Sequence, residues 1–380
     1  MITFKNIGKT YADGFQALKN INLEIKEGEL VALIGPSGSG KTTTMKMINR
    51  LIEPSRGEIL INGESISEKD PVQLRRNIGY VIQQIGLLPH MSIGDNISLV
   101  PRLKGWKKEQ YENKVDELLE LVGLDPETFR DRFPSELSGG QQQRVGVVRA
   151  LAAEPPIILM DEPFSALDPI SREQLQDELV KLQDTIKKTI VFVTHDMDEA
   201  IKIADRIAIM KDGVIVQFDT PEKILRHPKD DFVKGFIGEQ RLEAGLNEQL
   251  TASDLMINKI VTAKPTRGLA EALKMMKKYR VDTLLVTNSQ NELLGIATVE
   301  NVERYYYEED KTLQDIMNQE GPTVQIDCPY TDVAEVFATE GVSLIPVLQN
   351  EKLVGLITRS TMMRGLAGMK PAGPREGENV

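Results

Sequence analysis

The sequence predicts an α/β fold for residues 1–238 and an α+β fold, built from two similar repeats, for residues 251–368. Three features carry this prediction. A glycine-rich loop separates a short apolar run from a helical segment, further apolar runs alternate with helical segments downstream, and a motif near residue 295 recurs 60 positions later. Apolar runs of this length, alternating with helices, are typical of parallel strands that are buried on both faces of a sheet.

Hydrophobic periodicity predicts the individual elements of the first part of the chain. Strands are expected at residues 2–7, 17–25, 30–34, 57–63, 78–82, 156–162, 189–194, 206–210 and 214–218. Helices are expected at residues 43–50, 113–122, 145–153, 174–182, 221–226 and 231–236. The last two strands flank Asp212-Gly213, a dipeptide that favours a hairpin turn.

The glycine-rich loop fits a phosphate-binding pattern in which glycine and four residues of any kind are followed by Gly-Lys-Thr. Glycines let backbone N–H groups point at phosphate oxygens, and the start of the following helix adds positive potential. We expect Lys41 to reach the β- and γ-phosphates of a nucleotide and the Thr42 hydroxyl to bind Mg²⁺. The residues predicted here to bind nucleotide are Gly35, Pro36, Ser37, Gly38, Ser39, Gly40, Lys41, Thr42 and Thr43.

Three further stretches contain candidate site residues, but the evidence for each stretch alone is weaker than that for the glycine-rich loop. Tyr11 lies on a turn, where it is either an ordinary surface residue or a ring that stacks on a purine. Gln83 follows the predicted strand 78–82. In the stretch 137–141, Leu-Ser-Gly-Gly-Gln, Ser138 fits a helix N-cap and the glycines permit close approach to the backbone. In isolation, a capped loop is the simpler explanation of that stretch.

Two predicted buried strands end in residues that suit phosphate transfer. Asp161 and Glu162 end one strand, and His195 follows the strand 189–194. Ligand sites in open α/β sheets lie at the carboxyl ends of the strands. One carboxylate there suits Mg²⁺, and the adjacent one can activate water. We therefore predict Asp161 as a metal residue, Glu162 as the general base and His195 as a further catalytic residue.

The composition excludes several classes of protein. The chain has 380 residues, which favours two or three domains, and a formal net charge of −11. A net acidic charge argues against a general nucleic-acid binder, which carries a basic face, although local basic patches stay open, so no nucleic-acid partner is expected. Cys328 is the only cysteine, which excludes an intramolecular disulfide. No apolar run approaches the ~18–20 residues that span a bilayer, and the N-terminus lacks an apolar signal segment, so we expect a cytoplasmic protein.

A repeated motif organises the C-terminal part of the chain. Residues 295–298, Gly-Ile-Ala-Thr, recur as Gly-Leu-Ile-Thr at 355–358. Each copy is predicted as helix, strand, turn, strand, helix, and two copies are expected to pair as one unit. The predicted divisions are an N-terminal domain 1–238, a linker 239–250, repeats 251–310 and 311–368, and a disordered tail 369–380.

Taken in order, these motifs resemble the ATP-binding subunit of an ABC transporter over about the first 240 residues. The resemblance implies a P-loop ABC ATPase domain with a helical subdomain, and an ordered set of this kind is highly specific. For the nucleotide, it implies that Tyr11 stacks on adenine and that the signature is formed by Ser138, Gly139, Gly140 and Gln141. For the metal and catalysis, it implies that Gln83 is the glutamine-loop residue near Mg²⁺, that Asp161 associates with Mg²⁺ and that Glu162 is the general base. It also implies that Ser165 and Asp168 belong to the D-loop and that His195 is the switch histidine.

The resemblance also implies how such a subunit works. Two copies would form a head-to-tail homodimer with twofold symmetry. Each ATP, bound with Mg²⁺, would lie between the phosphate loop of one copy and Ser138 and Gly140 of the other. Closure on ATP and opening after hydrolysis would drive integral membrane permease subunits. The implied location is the cytoplasmic face of the cell membrane, with an extracellular or lipid-anchored solute-binding protein as an indirect partner.

The C-terminal repeats resemble a tandem CBS module. An ATPase followed by such a module is similar to the ATP-binding subunits of bacterial importers for osmoprotectants such as glycine betaine, carnitine and choline. The cargo follows from this resemblance alone, since no residue of an ATPase subunit is expected to touch it. Three alternatives stay open: an importer of another small solute such as an amino acid or a polyamine, a non-transport ABC ATPase, and a CBS pair that only dimerises.

Two positions of the repeats depart from the pattern of nucleotide-binding CBS domains. An aspartate that can bind ribose usually follows the Gly-x-x-Thr motif by three residues, but Asn301 and Thr361 stand at those positions. This departure argues against AMP or ATP as the regulator. A pair of repeats suits a symmetric ligand, and the resemblance to this importer class implies cyclic di-AMP. Thr358 and Arg359 are the residues expected to contribute to that site.

Overall fold

The structure, a computed structural model, divides the chain into two compact units, Met1–Gly238 and Glu239–Val380. It describes residues 1–82, 86–165, 167–239, 241–242, 250–258, 260–279, 281–308 and 310–366. Most of the predicted linker 239–250 and the whole predicted tail 369–380 lie outside the described residues. In the described part of the chain, no helix combines the length and the apolar character needed to cross a membrane.

Two sheets form the frame of the first unit. Its strands are β1 Ile2–Thr10, β2 Gln16–Ile25, β3 Leu30–Ile34, β4 Arg56–Ile61, β5 Glu64–Ser65, β6 Ile78–Val81, β7 Ile157–Asp161, β8 Thr189–Thr194, β9 Arg206–Lys211 and β10 Val214–Asp219. One sheet is antiparallel, in the order β2-β1-β4-β5. The other has the order β10-β9-β3-β8-β7-β6 and is parallel except for the edge strand β10. Strands β3, β7 and β8 are buried along their whole length, which explains their uninterrupted apolar sequences.

Helices cover these sheets and build the helical subdomain that the resemblance implies. They are α1 Lys41–Ile48, α2 Pro71–Arg76, α3 Ile93–Leu103, α4 Lys108–Leu121, α5 Pro126–Phe129, α6 Gly139–Leu151, α7 Pro169–Ile186, α8 Met197–Ile203, α9 Pro221–Arg226 and α10 Asp231–Ile237. The subdomain consists of α3, α4 and α6, which pack on one another. Helices α4, α6 and α7 begin five or six residues earlier than predicted. Capping by Gln110 and Ser138 and a proline in the first turn of α7 favour these earlier starts.

An apolar core joins the antiparallel sheet to the parallel one. Phe4 and Leu18 of the antiparallel sheet, Leu33 of β3 and Met45 of α1 are buried in the same cluster. Burial of an apolar side chain of this size contributes about 1.5–3 kcal/mol relative to full exposure. The core therefore holds the end of β3 and the start of α1 in place, which fixes both ends of the glycine-rich loop between them.

The second unit repeats one α+β arrangement twice. Its strands are β11 Thr262–Ala263, β12 Thr283–Thr287, β13 Leu293–Thr298, β14 Val324–Gln325, β15 Leu344–Gln349 and β16 Lys352–Thr358. Its helices are α11 Ala252–Leu255, α12 Leu269–Tyr279, α13 Val299–Arg304, α14 Leu313–Ile316, α15 Tyr330–Glu340 and α16 Arg359–Leu366. The sheets have the orders β11-β12-β13 and β14-β15-β16, each with one parallel and one antiparallel pairing.

The two repeats exchange their leading segments, which the sequence does not predict. At the start of the first repeat, Ile257 pairs with Leu356 of the second sheet. At the start of the second repeat, Asn318 pairs with Ile296 of the first sheet, and α14 is buried in the first core. Helix α11 likewise packs on α16. The boundary expected near residue 310 therefore divides the sequence repeats, whereas the packed halves each contain segments of both.

Gly295 and Gly355 permit this exchange. A Cβ atom at Gly295 would lie 2.7 Å from the Asn318 carbonyl oxygen, and one at Gly355 would lie 2.9 Å from the Ile257 carbonyl oxygen. Both distances are shorter than a side chain tolerates against backbone. The repeated Gly-x-x-Thr motif therefore has a packing role in both repeats.

Candidate functional site

The loop between β3 and α1 follows a path that requires glycine at two positions. Gly35 has φ 152° and Gly40 has φ 100°, conformations that residues with a side chain rarely adopt. A Cβ atom at Gly35 would lie 2.1 Å from the Met210 carbonyl oxygen, and one at Gly40 would lie 2.5 Å from the Leu18 side chain. Residues 36–39 span the distance between these glycines. The path places the predicted residues Lys41, Thr42 and Thr43 together in the first turn of α1.

Lys41 is buried at the start of α1 and reaches back over the loop. Its ammonium donates hydrogen bonds to the carbonyl oxygens of Gly35, at 2.7 Å, and of Pro36, at 2.8 Å. Burial lowers the pKa of Lys41, and the nearby carboxylates of the strand end act in the opposite direction. Ser39 adds a buried hydroxyl that has no hydrogen-bond partner among the described residues. A phosphate group fits this arrangement, because it offers acceptors to both the ammonium and the hydroxyl.

Thr42 and Asp161 meet between α1 and the end of β7. The Thr42 hydroxyl donates to Asp161 Oδ1 over 3.2 Å. Burial raises the pKa of Asp161, although this hydrogen bond and the charges of Lys46 and Lys41 oppose the shift. A hydroxyl and a carboxylate oxygen are ligands that Mg²⁺ accepts, and nucleotide sites commonly complete its shell with phosphate and water. These two predicted metal residues therefore fit a magnesium ion, whose charge would favour the ionised form of the buried carboxyl.

Glu162 and His195 lie at the ends of the neighbouring strands β7 and β8. His195 Nδ1 is 3.7 Å from Glu162 Oε2, which is too long for a hydrogen bond but within reach of an ion pair when the imidazole is protonated. Glu162 has φ 47°, in the left-handed region, and its N–H donates to the Val193 carbonyl oxygen. Strained backbone of this kind is common at functional sites. The exposed fractions, 23% for the Glu162 side chain and 66% for that of His195, leave both open to a ligand.

The predicted signature residues lie at the start of α6. Ser138 caps the helix, because the Gln141 N–H donates to Ser138 Oγ over 3.3 Å and the Ser138 N–H donates to Gln141 Oε1 over 2.9 Å. This reciprocal pair confirms the predicted N-cap. Ser138 and Gly139 are exposed, and Gly140 is half-buried. The open N-terminus of a 13-residue helix presents N–H groups and positive potential to an anion.

Tyr11 and Gln83 are the remaining residues expected around the nucleotide and its metal. Tyr11 follows β1 with its ring partly exposed, and Lys9 Nζ lies 5.3 Å from the ring centre. A ring beside a cation suits a base that carries phosphates. Gln83 lies outside the described residues, although β6 ends two residues before it.

The D-loop residues are attached to the same strand end. Ser165 is exposed, and its hydroxyl donates to the Glu162 carbonyl oxygen over 3.0 Å. Asp168 is also exposed, and its carbonyl oxygen accepts the Arg172 N–H as α7 begins. Residue 166, between them, is outside the described part of the chain. The loop therefore begins directly after the end of β7.

The two predicted regulatory residues lie where β16 passes into α16. The Thr358 N–H donates to Thr361 Oγ1 over 2.9 Å, and the Thr361 N–H donates to Thr358 Oγ1 over 3.2 Å. Arg359 begins the helix, and its side chain is outside the described part. In the first repeat, Thr298 Oγ1 accepts the Asn301 N–H over 3.3 Å. Thr361 is buried, and the Asn301 amide donates to a backbone carbonyl, so both residues that replace an aspartate have partners within the unit.

Two charged residues beside the site were missed by sequence reasoning. Glu199 of α8 accepts a hydrogen bond from Thr194, and Arg172 of α7 faces the same carboxylate. Burial raises the pKa of Glu199. Asp196, the acid next to His195, is committed to capping α8. A capping residue followed three positions later by glutamate, directly after a buried strand, is the signal that could have found Glu199.

Comparisons with known proteins agree with this geometry. The ABC transporter family model matches residues 18–165, and the CBS domain model matches residues 252–308 and 313–368. The choline transport ATP-binding protein OpuBA of Bacillus subtilis (strain 168) is 52% identical over 96% of this chain and 95% of its own length. The glycine betaine/carnitine/choline transport ATP-binding protein OpuCA of the same strain is 50% identical over 96% of this chain and 95% of its own length.

A solved structure extends the comparison to three dimensions. It is the dimeric, post-hydrolysis state of the ATP-binding cassette MJ0796 bound to ADP and Pi, at 41% identity and a TM-score of 0.53, and the match covers 58% of this chain and 98% of that one. The first unit, with its phosphate loop and strand-end acids, thus defines an ATP-binding cassette. The chain belongs to the family of ABC transporter ATP-binding proteins that carry tandem CBS domains, which confirms the resemblance seen in the sequence. Its activity is ATP hydrolysis coupled to transport, with ATP and Mg²⁺ as in the rest of the family.

Proposed function

We propose that this chain is the ATP-hydrolysing subunit of an importer for quaternary-ammonium osmoprotectants such as choline, carnitine and glycine betaine. The observation that carries the proposal is the extent of the similarity. Relatives named for transport of these solutes match 96% of the chain, so the ATPase unit and the CBS unit are matched together. The solute itself would be recognised by other subunits, so it is inferred through the relatives and not through a pocket of this chain.

Within the ATPase site, we assign the roles by position. Glu162, whose charge reaches Lys41, acts as the general base toward the attacking water. His195, 3.7 Å from Glu162, holds the γ-phosphate and the D-loop of the other copy. Lys41 exchanges its carbonyl partners for phosphate oxygens. Thr42, Asp161 and Gln83 would hold Mg²⁺, which would supply positive charge where negative charge develops during phosphoryl transfer.

Two copies of the chain complete each ATP site in this proposal. The start of α6, at Ser138 and Gly139, is exposed, and so are Ser165 and Asp168 of the D-loop. Exposure at both places supports a face that meets a second copy, with the N-terminus of α6 directed at phosphates bound by the other phosphate loop. The dimeric form of the MJ0796 cassette supports the same arrangement. A symmetric contact of this kind lets one chain supply both halves.

The remaining partners follow from the family. Permease subunits would hold the homodimer at the cytoplasmic face of the cell membrane, and a solute-binding protein outside the cell would deliver the cargo. A net charge of −11 supports the expectation that no nucleic acid is bound.

Transport by the assembled importer tests the cargo. The chain would be reconstituted in proteoliposomes with its permease and solute-binding protein, and uptake of labelled choline, carnitine and glycine betaine would be compared with uptake of an amino acid and a polyamine. We expect ATP-dependent uptake of the quaternary-ammonium solutes that is lost in Lys41→Ala and retained in Lys5→Ala, which alters an exposed lysine. Uptake of the amino acid or the polyamine alone would replace the proposed cargo.

We further propose that the CBS unit binds cyclic di-AMP and that binding lowers ATPase activity. Asn301 and Thr361 offer no carboxylate to a ribose and are engaged within the unit, which disfavours simple adenosine nucleotides. Thr358 and Arg359 stand at the start of α16, where a phosphate would meet a hydroxyl and a cationic residue type. A coupling of ~1–3 kcal/mol between the units would change activity about 5–150-fold.

Calorimetric titration of the full chain tests the regulator. Lys41→Ala would serve as the background, because it weakens ATP binding to the first unit, and cyclic di-AMP, AMP and ATP would be added in separate titrations. We expect binding of cyclic di-AMP alone. Absence of heat with cyclic di-AMP would remove this ligand, and unchanged binding in Arg359→Ala would keep the ligand but discard that residue.

A further inference from the structure

A chain of side chains connects the D-loop to the end of β8. Arg172, near the start of α7, donates from Nη2 to the Leu167 carbonyl oxygen of the D-loop over 3.2 Å. Its Nε lies 3.9 Å from Glu199 Oε1, within the range of an ion pair. The other carboxylate oxygen of Glu199 accepts a hydrogen bond from Thr194 Oγ1 over 2.5 Å. Thr194 is the last residue of β8 and directly precedes His195.

The Thr194 hydroxyl controls the backbone on both sides of His195. Its oxygen accepts the Asp196 N–H over 3.0 Å, while its proton goes to Glu199. A hydroxyl has a single proton. Because the Thr194 hydroxyl donates this proton to the Glu199 carboxylate, its oxygen lone pairs are free to accept the Asp196 N–H. The residues before and after His195 are thereby pinned, although the imidazole itself is largely exposed. The placement of the imidazole thus depends on the hydrogen bond between Thr194 and Glu199.

Burial makes these side chains depend on one another. Thr194 is 2% exposed and Glu199 is 7% exposed. A carboxylate removed from water needs partners for its charge, and here Thr194 and Arg172 provide them on opposite oxygens. Loss of Thr194 or Arg172 would leave the buried Glu199 carboxylate with one partner fewer.

A second connection joins the same two helices further from the site. Lys202 Nζ of α8 lies 2.7 Å from Asp177 Oδ1 and 3.1 Å from Gln176 Oε1, both on α7. These residues lie further along both helices than Arg172 and Glu199 do. The second connection therefore provides a matched comparison, because it also joins α7 to α8 through charged groups but lies beyond the D-loop and the strand end.

We propose that Arg172, Glu199 and Thr194 are positioning residues that fix the location of His195 relative to the D-loop. The inference rests on the proposed role of His195 in hydrolysis. Ser165 and Asp168 of the D-loop are exposed and are proposed to face the second copy, whereas Leu167 between them is buried. A displacement of the D-loop would therefore move Leu167 and pass through Arg172 and Glu199 to the backbone beside His195. The histidine of one ATP site would in this way respond to the state of the interface between the copies.

Steady-state ATP hydrolysis by the full chain tests the connection. Thr194→Val removes the hydroxyl at nearly constant shape, Thr194→Ser keeps it, and Glu199→Gln keeps the shape without the charge. We expect Thr194→Val and Glu199→Gln to lower kcat about 10–100-fold, as displaced catalytic groups do, with KM for ATP nearly unchanged. Thr194→Ser should retain most of kcat. Asp177→Asn, in the second connection, should lower the melting temperature but leave kcat close to that of the wild type.

The remaining variants separate the possible outcomes. If His195→Ala loses activity but Thr194→Val does not, the positioning role is overturned while the role of His195 stands. If His195→Ala retains full kcat, both are overturned. An equal loss of kcat in Asp177→Asn would assign the effect to general helix packing and would also overturn the inference. Where a buried variant fails to fold, Arg172→Lys decides, because it keeps the charge but loses the planar reach to Leu167, and a normal kcat in that variant would overturn the connection.

Discussion

Asp161 and Lys41 are charged residues buried beside each other, at the end of β7 and the start of α1. Burial raises the pKa of Asp161 and lowers that of Lys41, so it disfavours the charged form of both groups. Both charges suit a phosphate and its magnesium ion. Without ligand, the wild-type chain is therefore less stable than a variant with a neutral residue of the same shape at one of these positions would be.

We predict that Asp161→Asn raises the melting temperature of the ligand-free chain at pH 7, because the amide keeps the shape without the buried charge. A gain of about 1 kcal/mol would correspond to about 2–4 °C in a unit of this size. The pKa of Asp161 is raised in the folded state, so the wild-type carboxyl favours folding below its unfolded-state pKa of about 4, and this contribution is lost as the pH rises through the folded-state pKa. The advantage of the variant should therefore grow from about pH 4 upward and then level off. Scanning calorimetry across that range checks this, and equal melting temperatures at every pH would contradict it.

Glu162→Gln should separate nucleotide binding from hydrolysis. The amide preserves the contacts of the strand end but cannot take a proton, so hydrolysis should fall by roughly 10²–10⁴-fold while ATP still binds. Lys41→Ala is the contrasting variant, because it removes the ammonium beside the phosphate loop and should weaken binding itself. Filter binding of labelled ATP and steady-state phosphate release measure the two effects. Near-normal turnover in Glu162→Gln would show that another group is the base.

The residues of the ATPase site differ in how far the sequence could predict them. The phosphate loop and the acids after β7 are contiguous in sequence, so a short pattern contains the whole local geometry. Arg172 and Glu199 lie on different helices and meet only when α7 packs on α8. No pattern along the chain records that contact. Gln83 stays a prediction that rests on family spacing.

Among the elements, β16 carries a glycine whose role can be measured. In Gly355→Ala, the new Cβ would lie 2.6 Å from the Met256 sulfur and 2.9 Å from the Ile257 carbonyl oxygen. We expect the second unit to lose about 1–3 kcal/mol of stability, as overpacked sites do. Gly268→Ala is the matched control, because a Cβ there meets no atom within 4 Å. Urea unfolding of the full chain measures both, and equal stability of the two variants would argue against the close approach of the leading segment.

The elements of the second unit were predictable as types but not in their pairing. The predicted order of helix, strand, turn, strand, helix matches α12 to α13 and α15 to α16, because period and turn residues are local properties. The short leading elements α11, β11, α14 and β14 were not predicted. The partner of Ile257 is Leu356, about 100 residues away, and the partner of Asn318 is Ile296 in the other repeat. Because the two sheets are similar, the local sequence does not show which sheet each leading segment joins. Only the packed structure shows that each one joins the sheet of the other repeat.

For the whole molecule, mixing two inactive variants tests the proposed homodimer. Lys41→Ala damages the phosphate loop, and Ser138→Arg damages the exposed start of α6. If ATP lies between two copies, a mixed dimer contains one intact site and one doubly damaged site, and part of the ATPase activity should return. Crosslinking in the Glu162→Gln background under saturating ATP is the second measurement, because it holds the closed state whether or not a single site can turn over. A monomer under those conditions would contradict the dimer.

The exchange of the leading segments also affects how the second unit folds during synthesis on the ribosome. Ile257 is synthesised about 100 residues before Leu356, its pairing partner in β16. At roughly 5–20 residues per second, the early segment waits about 5–20 s for the strand that will receive it. Leu255 and Met256 are buried in the finished unit but have no core to enter during this interval. The nascent chain thus passes through a stage with an exposed apolar segment, and this is the stage at which aggregation competes with folding and a chaperone would have most effect.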